Sequence, residues 1–315
     1  MNKSKSFTMA LSMLSLGAAT SFAEIKLTDN LSTAGFLDMS ASGVSPDSGD
    51  ATAIASFDQF ELDFFLKYGA ISARADINSL GPVGGVTFEQ GFVTATSGAL
   101  SLTLGKFLSC SGFEAAEPTG LYQYSVSKLL NGYAGATYGG YESGVNVAYT
   151  APKFALYGAV LASVWGIDTT DIKDPGFEAQ LALMPMEGLT AKFTYLHEMI
   201  DDPTDHDSQS EVNAWASFSK GALTVAAEYS ILMNWLAADE SGNGWLAMIN
   251  FKATDKVAAT VRYSGVKLES IDDPDTEVTF SPSYALASNW LALAEVKYEI
   301  DAKATSWGIE NTLSF

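Results

Sequence analysis

The chain has 315 residues, of which 47% are apolar and only 17% are charged, and its formal net charge is −20. This acidic balance argues against nucleic acid as a partner, because nucleic-acid binding requires a basic face. The low charged fraction indicates that many side chains need not face water.

Residues 1–23 have the features of a secretory signal peptide. Two lysines form a basic start, an apolar stretch covers residues 7–19, and Ser21-Phe22-Ala23 is a small-x-small cleavage site. An uncleaved signal anchor is the alternative, but the apolar stretch is too short to span a bilayer. We therefore expect a mature chain of residues 24–315 that forms one domain.

Alternation of apolar and polar residues begins near residue 31 and continues almost to the end of the chain. The segment FELDFFLKY places Phe60, Leu62 and Phe64 on one face and Glu61 and Asp63 on the other. LTAKFTY, LTVAAEYSI, WLAMINFK and WLALAEVKYEID repeat this period of two, which predicts β-strands rather than helices. Sixteen strands are predicted, over residues 31–41, 58–68, 71–78, 86–96, 100–107, 142–150, 154–166, 176–184, 189–198, 210–219, 222–232, 243–253, 257–268, 276–287, 290–301 and 304–315.

The breaks between these strands alternate between short turns and long loops that are rich in Gly, Pro, Asp and Ser. A soluble β-sandwich would also show alternating strands. However, an even strand number, strands of about ten residues, alternating short and long turns, and aromatic residues near strand ends are typical of transmembrane barrels. The predicted fold is therefore all-β, a closed antiparallel transmembrane β-barrel of about 16 strands with lipid outside and water inside.

The polar faces of these strands are then candidates for the wall of a pore, because a barrel of this size leaves a lumen that side chains do not fill. Closure follows from the absence of hydrogen-bond partners in lipid. The predicted pore-lining residues on the strands are Glu61, Asp63, Lys67, Arg74, Asp76, Lys192, Glu228, Arg262, Glu295, Lys297 and Glu299.

Most of the other carboxylates fall in the long loops. Acidic loop mouths would concentrate cations within a Debye length of about 10 Å at 0.1 M salt, but the same residues also fit solvated loops that aid solubility. Two runs, DTTDIKD and DDPTDHD, carry oxygen ligands that suit hard cations. Neither has the glycine and distal glutamate of an EF-hand, so we expect no cofactor beyond weakly bound divalent cations.

Residues 108–141 form the longest break between predicted strands. Loops of this length are usually functional, and this one is rich in aromatic and apolar residues that need a surface to pack against. We predict that it folds inward as a constriction loop, with Glu114, Glu117 and Lys128 as its charged, pore-lining residues. The alternative is an external loop that packs on the rim of the barrel.

Residues 86–126 show a more specific pattern, centred on GKFLSCSGFEAAEPTGLYQYSVS. A G-K-F strand end is followed by G-F-E, a proline and a tyrosine-serine pair, at Gly105, Lys106, Phe107, Gly112, Phe113, Glu114, Pro118, Tyr124 and Ser125. This pattern resembles the OmpL-like family of beta-barrel porins. The resemblance implies a channel for small solutes in the bacterial outer membrane and no enzymatic activity. Cys110, the single cysteine, departs from the pattern and excludes an internal disulfide.

Sequence motifs for catalysis are absent: there is no G-x-S-x-G, no P-loop and no dinucleotide-binding fingerprint. Neither His197 nor His206 belongs to a cluster with metal-ligand spacing. His197 shares the strand face of Phe193 and Tyr195, which leaves open a Ser-His pair on the lipid face. An interfacial histidine near the lipid headgroups is the simpler interpretation.

Three functions remain from the sequence: a mildly cation-preferring diffusion channel, a non-conducting structural or surface-binding barrel with calcium-linked acidic loops, and a lipid-modifying barrel enzyme that uses His197. The first is favoured. The expected partners are outer-membrane lipids, small solutes and ions, and the barrel-assembly machinery, which would engage the last strand ending in Phe315. A homotrimer is also compatible with a barrel of this size.

Overall fold

The computed structural model describes residues 24–46, 50–81, 84–131, 138–166, 175–199, 208–235 and 240–315. The predicted signal peptide lies outside these residues. So do His206 and many of the acidic loop positions: Asp47, Asp168, Asp171, Asp174, Asp201, Asp202, Asp205, Asp207 and Asp239.

Seventeen antiparallel strands form a single sheet in the described part of the chain. They are β1 (Ile25–Lys26), β2 (Leu31–Ser45), β3 (Thr52–Tyr68), β4 (Ile71–Leu80), β5 (Val86–Ser97), β6 (Leu100–Leu108), β7 (Tyr141–Thr150), β8 (Phe154–Leu161), β9 (Gly176–Met186), β10 (Leu189–Met199), β11 (Ser208–Lys220), β12 (Leu223–Trp235), β13 (Glu240–Lys252), β14 (Val257–Leu268), β15 (Asp275–Ala287), β16 (Trp290–Glu299) and β17 (Ala304–Ser314).

The sheet closes on itself. Each strand from β2 to β16 pairs with the next strand in the chain, and β17 pairs with β2 over ten residue pairs from Thr305↔Ser45 to Ser314↔Phe36. All sixteen predicted strands are present, and together they form the predicted closed barrel. The two-residue strand β1, which the sequence did not predict, adds to β2 outside this cycle.

One predicted strand is shorter than its sequence pattern suggested. The alternation predicted a strand over 154–166, but β8 ends at Leu161. Beyond it, the backbone N–H groups of Val164 and Trp165 each donate to the Glu198 carboxylate at 3.0 Å. Because a side chain supplies these hydrogen bonds, this stretch has no need of a neighbouring strand.

The two faces of each strand differ as the sequence predicted. On β16, Val296 is 53% exposed and Tyr298 is 43% exposed, whereas Glu295, next to Val296 in the sequence, is 3% exposed. The same alternation recurs around the barrel, so that large apolar side chains cover the outside. In a globular core these residues would be buried, so an apolar solvent is the environment that fits them.

The C-terminal residue helps to close the barrel. The Phe315 N–H donates to the Gly35 carbonyl at 2.9 Å, and the Gly35 N–H donates to the Phe315 carbonyl at 2.8 Å. The Phe315 ring stacks on Phe60 of β3 with a centroid distance of 6.3 Å. A side chain at position 35 would meet both the Phe315 ring and the backbone of β3.

Residues 109–140 are here called the lumenal segment. Its described parts, 109–131 and 138–140, fold into the barrel as predicted. They contain a 3-10 turn at Pro118–Gly120 and a short helix, α1, at Lys128–Asn131. Phe113 and Leu129 of this segment pack against Trp215, Leu246 and other inward-facing residues of β11–β13. The apolar surface expected of this segment is therefore buried against the inner wall. Among the described residues, none of the helices is long and apolar enough to cross a membrane.

Candidate functional site

The lumenal segment is held to the wall by charged contacts, the strongest of which centre on Arg262. This side chain lies on β14 and is fully buried. Its guanidinium lies 2.6 Å from the carboxylate of Glu114 in the segment and 2.6 Å from that of Glu277 on β15. Two carboxylates that flank one planar cation satisfy its charge and its donor geometry.

The backbone of the segment also bonds to Arg262. The guanidinium donates to the carbonyl of Ser125 at 2.8 Å and to that of Val126 at 3.0 Å. The Ser125 N–H in turn donates to Glu295 on β16 at 3.2 Å. These contacts place the middle of the segment against β14–β16, on the far side of the barrel from the strand that it follows.

A second group of charged residues lies beside these contacts of Arg262 and is less buried. Lys128 of α1 forms ion pairs with Asp275 at 3.0 Å and Glu299 at 3.4 Å, and Lys297 lies 3.3 Å from Glu299. Burial lowers the pKa of Lys128, but the hydrogen bond and charge of Asp275 and the charge of Glu299 outweigh this effect, so the net shift is upward. Lys128 therefore stays cationic at neutral pH.

Carboxylates gather where the segment meets β3–β5. Glu61 on β3 lies close to Asp63 and to Asp76 on β4, and it also lies close to Glu89 on β5 and Glu117 of the segment. The amide of Gln59 bridges Glu61 and Glu117, with both distances 2.9 Å. Burial, followed by the charge of Glu89, raises the pKa of Glu117 to about 7.

Arginine compensates only part of this group. Arg74 pairs with Asp76 at 2.8 Å and with Asp63 at 3.4 Å. The cluster arises because the register sets Asp63 directly opposite Asp76, and a bulge in β5 turns Glu89 inward with its neighbours. A strict period of two does not anticipate the bulge, although Glu89 itself is visible in the sequence as a charge within a strand.

Glu228 on β12 fixes the start and the end of the segment. Its carboxylate accepts a hydrogen bond from the Phe113 N–H at 3.0 Å and another from the Tyr138 hydroxyl. Burial, followed by the charge of Glu228, raises the pKa of Tyr138 well above its usual value, so this hydroxyl remains a donor. Lys192 on β10 is also buried and lies over the Trp215 ring at 5.2 Å.

Cys110 lies at the base of the segment. Its backbone N–H lies 3.4 Å from the Glu178 carboxylate, which also accepts a hydrogen bond from Ser109. Burial and the charge of Glu178 raise the pKa of the thiol well above its usual value. A raised pKa keeps the thiol in its protonated form, which is less nucleophilic than the thiolate.

The predicted site residues divide into three groups by location. Eight are buried on the lumen face beneath the segment or beside it: Glu61, Asp63, Asp76, Lys192, Glu228, Arg262, Glu295 and, on the segment itself, Glu114. Lys128, Lys297 and Glu299 border an open cavity. Arg74 and Glu117 are partly buried within the acidic cluster, and Lys67 is exposed next to the short turn at Gly69.

The open cavity lies between the segment and the wall formed by β2, β3 and β15–β17. Its volume is about 480 Å³. Sequence reasoning did not single out three of its acidic residues, Asp38, Asp58 and Glu277. Asp38 lies beside the register shift between β2 and β3, at which Asp58 is the extra residue of β3. Glu277 lies only two residues from the start of β15, where a predicted strand boundary is least certain. The residues that border the cavity are Asp38, Asp58, Gln59, Ala116, Pro118, Leu121, Tyr124, Ser125, Val126, Ser127, Lys128, Glu277, Lys297, Glu299 and Glu310.

The histidine considered for lipid chemistry is on the outer surface. His197 stacks with Phe177 and Tyr195, and its Nδ1 lies 2.8 Å from the Ser210 hydroxyl. Among the described residues, no carboxylate forms a hydrogen bond or ion pair with the ring. An aromatic stack at the barrel surface is what the contacts establish.

Comparison with protein-family models gives one match, to "Putative beta-barrel porin-2, OmpL-like", over residues 13–311. Comparison with curated proteins by sequence gives no match. Among solved structures, OmpF of Salmonella typhi in complex with daunomycin is similar with a TM-score of 0.71 and 9% identity, covering 93% of this chain and 100% of that one.

Two further solved structures show the same fold. An anion-selective porin from Comamonas acidovorans has a TM-score of 0.70 and 11% identity, covering 90% of this chain and 99% of that one. In-vitro folded OmpT of Vibrio cholerae, described as a trimer form, has a TM-score of 0.65 and 13% identity, covering 91% of this chain and 100% of that one. At these identities the likeness concerns the fold.

Proposed function

The chain belongs to the family "Putative beta-barrel porin-2, OmpL-like" and is a protein of the bacterial outer membrane, and on that premise we propose that it is a passive diffusion channel for small hydrophilic solutes and ions. The observation that carries this proposal is the cavity of about 480 Å³ between the lumenal segment and the wall. The segment narrows the lumen, and the cavity is the space that it leaves for solutes.

Charge around the cavity favours cations over anions. Five carboxylate side chains border it, at Asp38, Asp58, Glu277, Glu299 and Glu310, against the two ammonium groups of Lys128 and Lys297. A negative excess within a narrow aqueous space raises the local concentration of cations. Because the two lysines lie among the carboxylates, the preference is mild. The Comamonas porin is anion-selective by its title, so selectivity has to come from the local residues and not from the fold.

The buried contacts support a pore in which the lumenal segment stays fixed to the wall and constricts the lumen. Arg262, Glu228 and Glu117 each fix a different part of the segment to a different part of the wall. A segment held at three places does not swing freely, so solutes pass beside it through the cavity. We propose no enzymatic activity. The charged groups that contact the segment serve in this proposal to hold it to the wall and not to act on a substrate.

Two further proposals concern the oligomeric state and the insertion of the barrel into the membrane. A homotrimer is the proposed state, consistent with the trimer form of the Vibrio OmpT structure. The terminal Phe315, whose ring packs against β3 as β17 closes on β2, is the proposed signal for the barrel-assembly machinery.

A non-conducting barrel is the second candidate, and one observation favours it: the segment packs its apolar side chains against Trp215 and Leu246 on the inner wall. In that case the segment acts as a plug, and the protein serves as a structural or surface-binding barrel.

A liposome-swelling experiment separates the two candidates. Proteoliposomes with the refolded mature chain are diluted into iso-osmotic solutions of arabinose or of the tetrasaccharide stachyose. A channel with the observed cavity admits the pentose faster than the tetrasaccharide. Swelling no faster than that of empty liposomes, from protein that is folded and inserted, contradicts the channel and supports the plug.

A further inference from the structure

The acidic cluster at β3–β5 has the geometry of a cation site. One carboxylate oxygen from each of Glu61, Glu89 and Glu117 lies within 4.8 Å of the others. Calcium holds its oxygen ligands at about 2.3–2.6 Å, so ligands on opposite sides of one ion are up to about 5 Å apart. Magnesium, at about 2.0–2.1 Å, requires pairs no more than about 4.2 Å apart. A separation of at most 4.8 Å admits either ion, so the choice between them rests on the chemistry of the ligands.

Charge compensation differs within the cluster. Arg74 neutralises Asp63 and Asp76. Among the described residues, by contrast, no lysine or arginine forms an ion pair with Glu61, Glu89 or Glu117. Buried carboxylates without a counter-charge are costly, so protons or a bound cation must neutralise this half of the cluster.

The hydrogen bonds that this half does receive come from neutral groups. Gln59 donates to Glu61 and Glu117, the Tyr141 hydroxyl donates to Glu117 at 2.8 Å, and the Asn78 amide donates to Glu89 at 2.8 Å. Neutral donors orient carboxylates without removing their charge. This is the arrangement in which the groups around a metal site hold its ligands in place.

A second observation points to the same ion. Among the described residues, Asn78 Oδ1 and Glu89 Oε2 are buried oxygens with no hydrogen-bond donor. Asn78 is only 3% exposed and lies opposite Glu61 in the register of β3 and β4, while its Nδ2 donates to Glu89. The amide is thus held between two of the three carboxylates with its oxygen unpartnered. Amide and carboxylate oxygens together form the ligand set that calcium prefers.

We propose that Glu61, Glu89 and Glu117 bind one calcium ion, with the amide oxygen of Asn78 as a further ligand. The ion ties the lumenal segment, through Glu117, to β3 and β5. Pro118, next to Glu117, and Gln59, two residues before Glu61, border the open cavity. If the chain conducts as proposed above, calcium bound at this site fixes one edge of the open cavity.

Calorimetric titration of the refolded mature chain tests the binding without reference to conductance. Protein in detergent micelles is stripped with EGTA, and calcium chloride alone is titrated in 0.1 M potassium chloride. The expected result for the wild type is saturable binding of calcium. In Glu89→Gln and in Glu117→Gln, the affinity for one of the bound ions should fall at least tenfold. Glu310→Gln, a lumen carboxylate outside the cluster, is the matched control and retains the full number of ions.

Thermal unfolding gives a second readout. Calcium raises the unfolding temperature of the wild type and of Glu310→Gln, and raises that of Glu89→Gln less, because the ion binds only the folded site. Heat-modifiable gel mobility establishes that each variant is folded before titration. Equal calcium binding by the wild type, Glu89→Gln and Glu117→Gln overturns the proposal, as does the absence of saturable binding to the wild type. Neither result bears on whether the chain conducts.

Discussion

The guanidinium of Arg262 on β14 lies 2.6 Å from the carboxylate of Glu114 in the lumenal segment, across a separation of 148 residues in the sequence. Both side chains are removed from water, and Glu277 completes the compensation of the arginine charge from the next strand. This ion pair is therefore the most strongly buried of the charged links between the segment and the barrel wall.

Removing this arginine should loosen the segment. Arg262→Gln leaves two buried carboxylates without their counter-charge, and we expect a loss of about 3–5 kcal/mol in the free energy of unfolding. Urea unfolding of the mature chain in lipid vesicles measures it. Lys252→Gln, at an exposed position near the end of β13, is the control and should change stability by less than about 0.5 kcal/mol. An equally small change for Arg262→Gln would contradict the claim that this ion pair holds the segment to the wall.

Paired substitutions beside the cavity should shift ion preference in opposite directions. Lys297→Gln removes a cation from the lining and should raise the ratio of potassium to chloride permeability, whereas Glu299→Gln should lower it. A unit charge at about 4 Å in water is worth about 1 kcal/mol, so each change is at most about fivefold.

Reversal potentials under a salt gradient measure both effects. Lys256→Gln, an exposed lysine next to a short turn, is the control for net charge away from the cavity. Shifts of the same sign in Lys297→Gln and Glu299→Gln would contradict the proposed location of the permeation path.

The outer face can be tested at Val296. This side chain points out of β16 and is 53% exposed. Val296→Arg places a charge in lipid and should cost about 2–4 kcal/mol if the residue lies near the bilayer midplane. Val296→Ala, which leaves the face apolar, is the matched control in the same urea titration. If the arginine variant is no less stable than the alanine variant, this face does not contact lipid.

Closure of the barrel depends on a close approach at Gly35. A Cβ atom there would lie 2.3 Å from the Glu61 carbonyl oxygen and 2.9 Å from the Phe315 ring. Gly35→Ala should therefore destabilise the barrel by about 1–3 kcal/mol, the usual cost of overpacking. Gly158→Ala, whose Cβ would meet its nearest neighbour at 3.9 Å, should be tolerated. Loss of heat-modifiable mobility in the first variant alone is the expected measurement, and equal behaviour of the two would contradict it.

The sequence predicts the barrel well because its signal is local. Glu295 and Val296 are adjacent, and their opposite environments follow directly from a period of two. The inward folding of the segment was also predictable, since its apolar residues needed a surface. Its contacts were not, because the pairing of Glu114 with Arg262 depends on how a long loop crosses a closed barrel, which no local pattern encodes.

The residues that border the open cavity show the same limit of prediction from the sequence. The alternation assigned Lys297 and Glu299 to the same face as Glu61 and Asp63. In the structure the first two border the open cavity, whereas Glu61 and Asp63 are buried. Asp38, beside the register shift between β2 and β3, and Glu277, near a strand end, have lumen-facing positions that depend on register details. Side-chain direction is therefore readable from the sequence, and access to water is not.

Single-channel recording of the refolded mature chain in a planar bilayer, under a potassium chloride gradient, tests the central claim most directly. A diffusion channel with the observed cavity gives stable current steps, and its reversal potential shows a mild preference for potassium. The absence of steps from protein that is folded and inserted would contradict the claim and assign the lumenal segment the role of a plug.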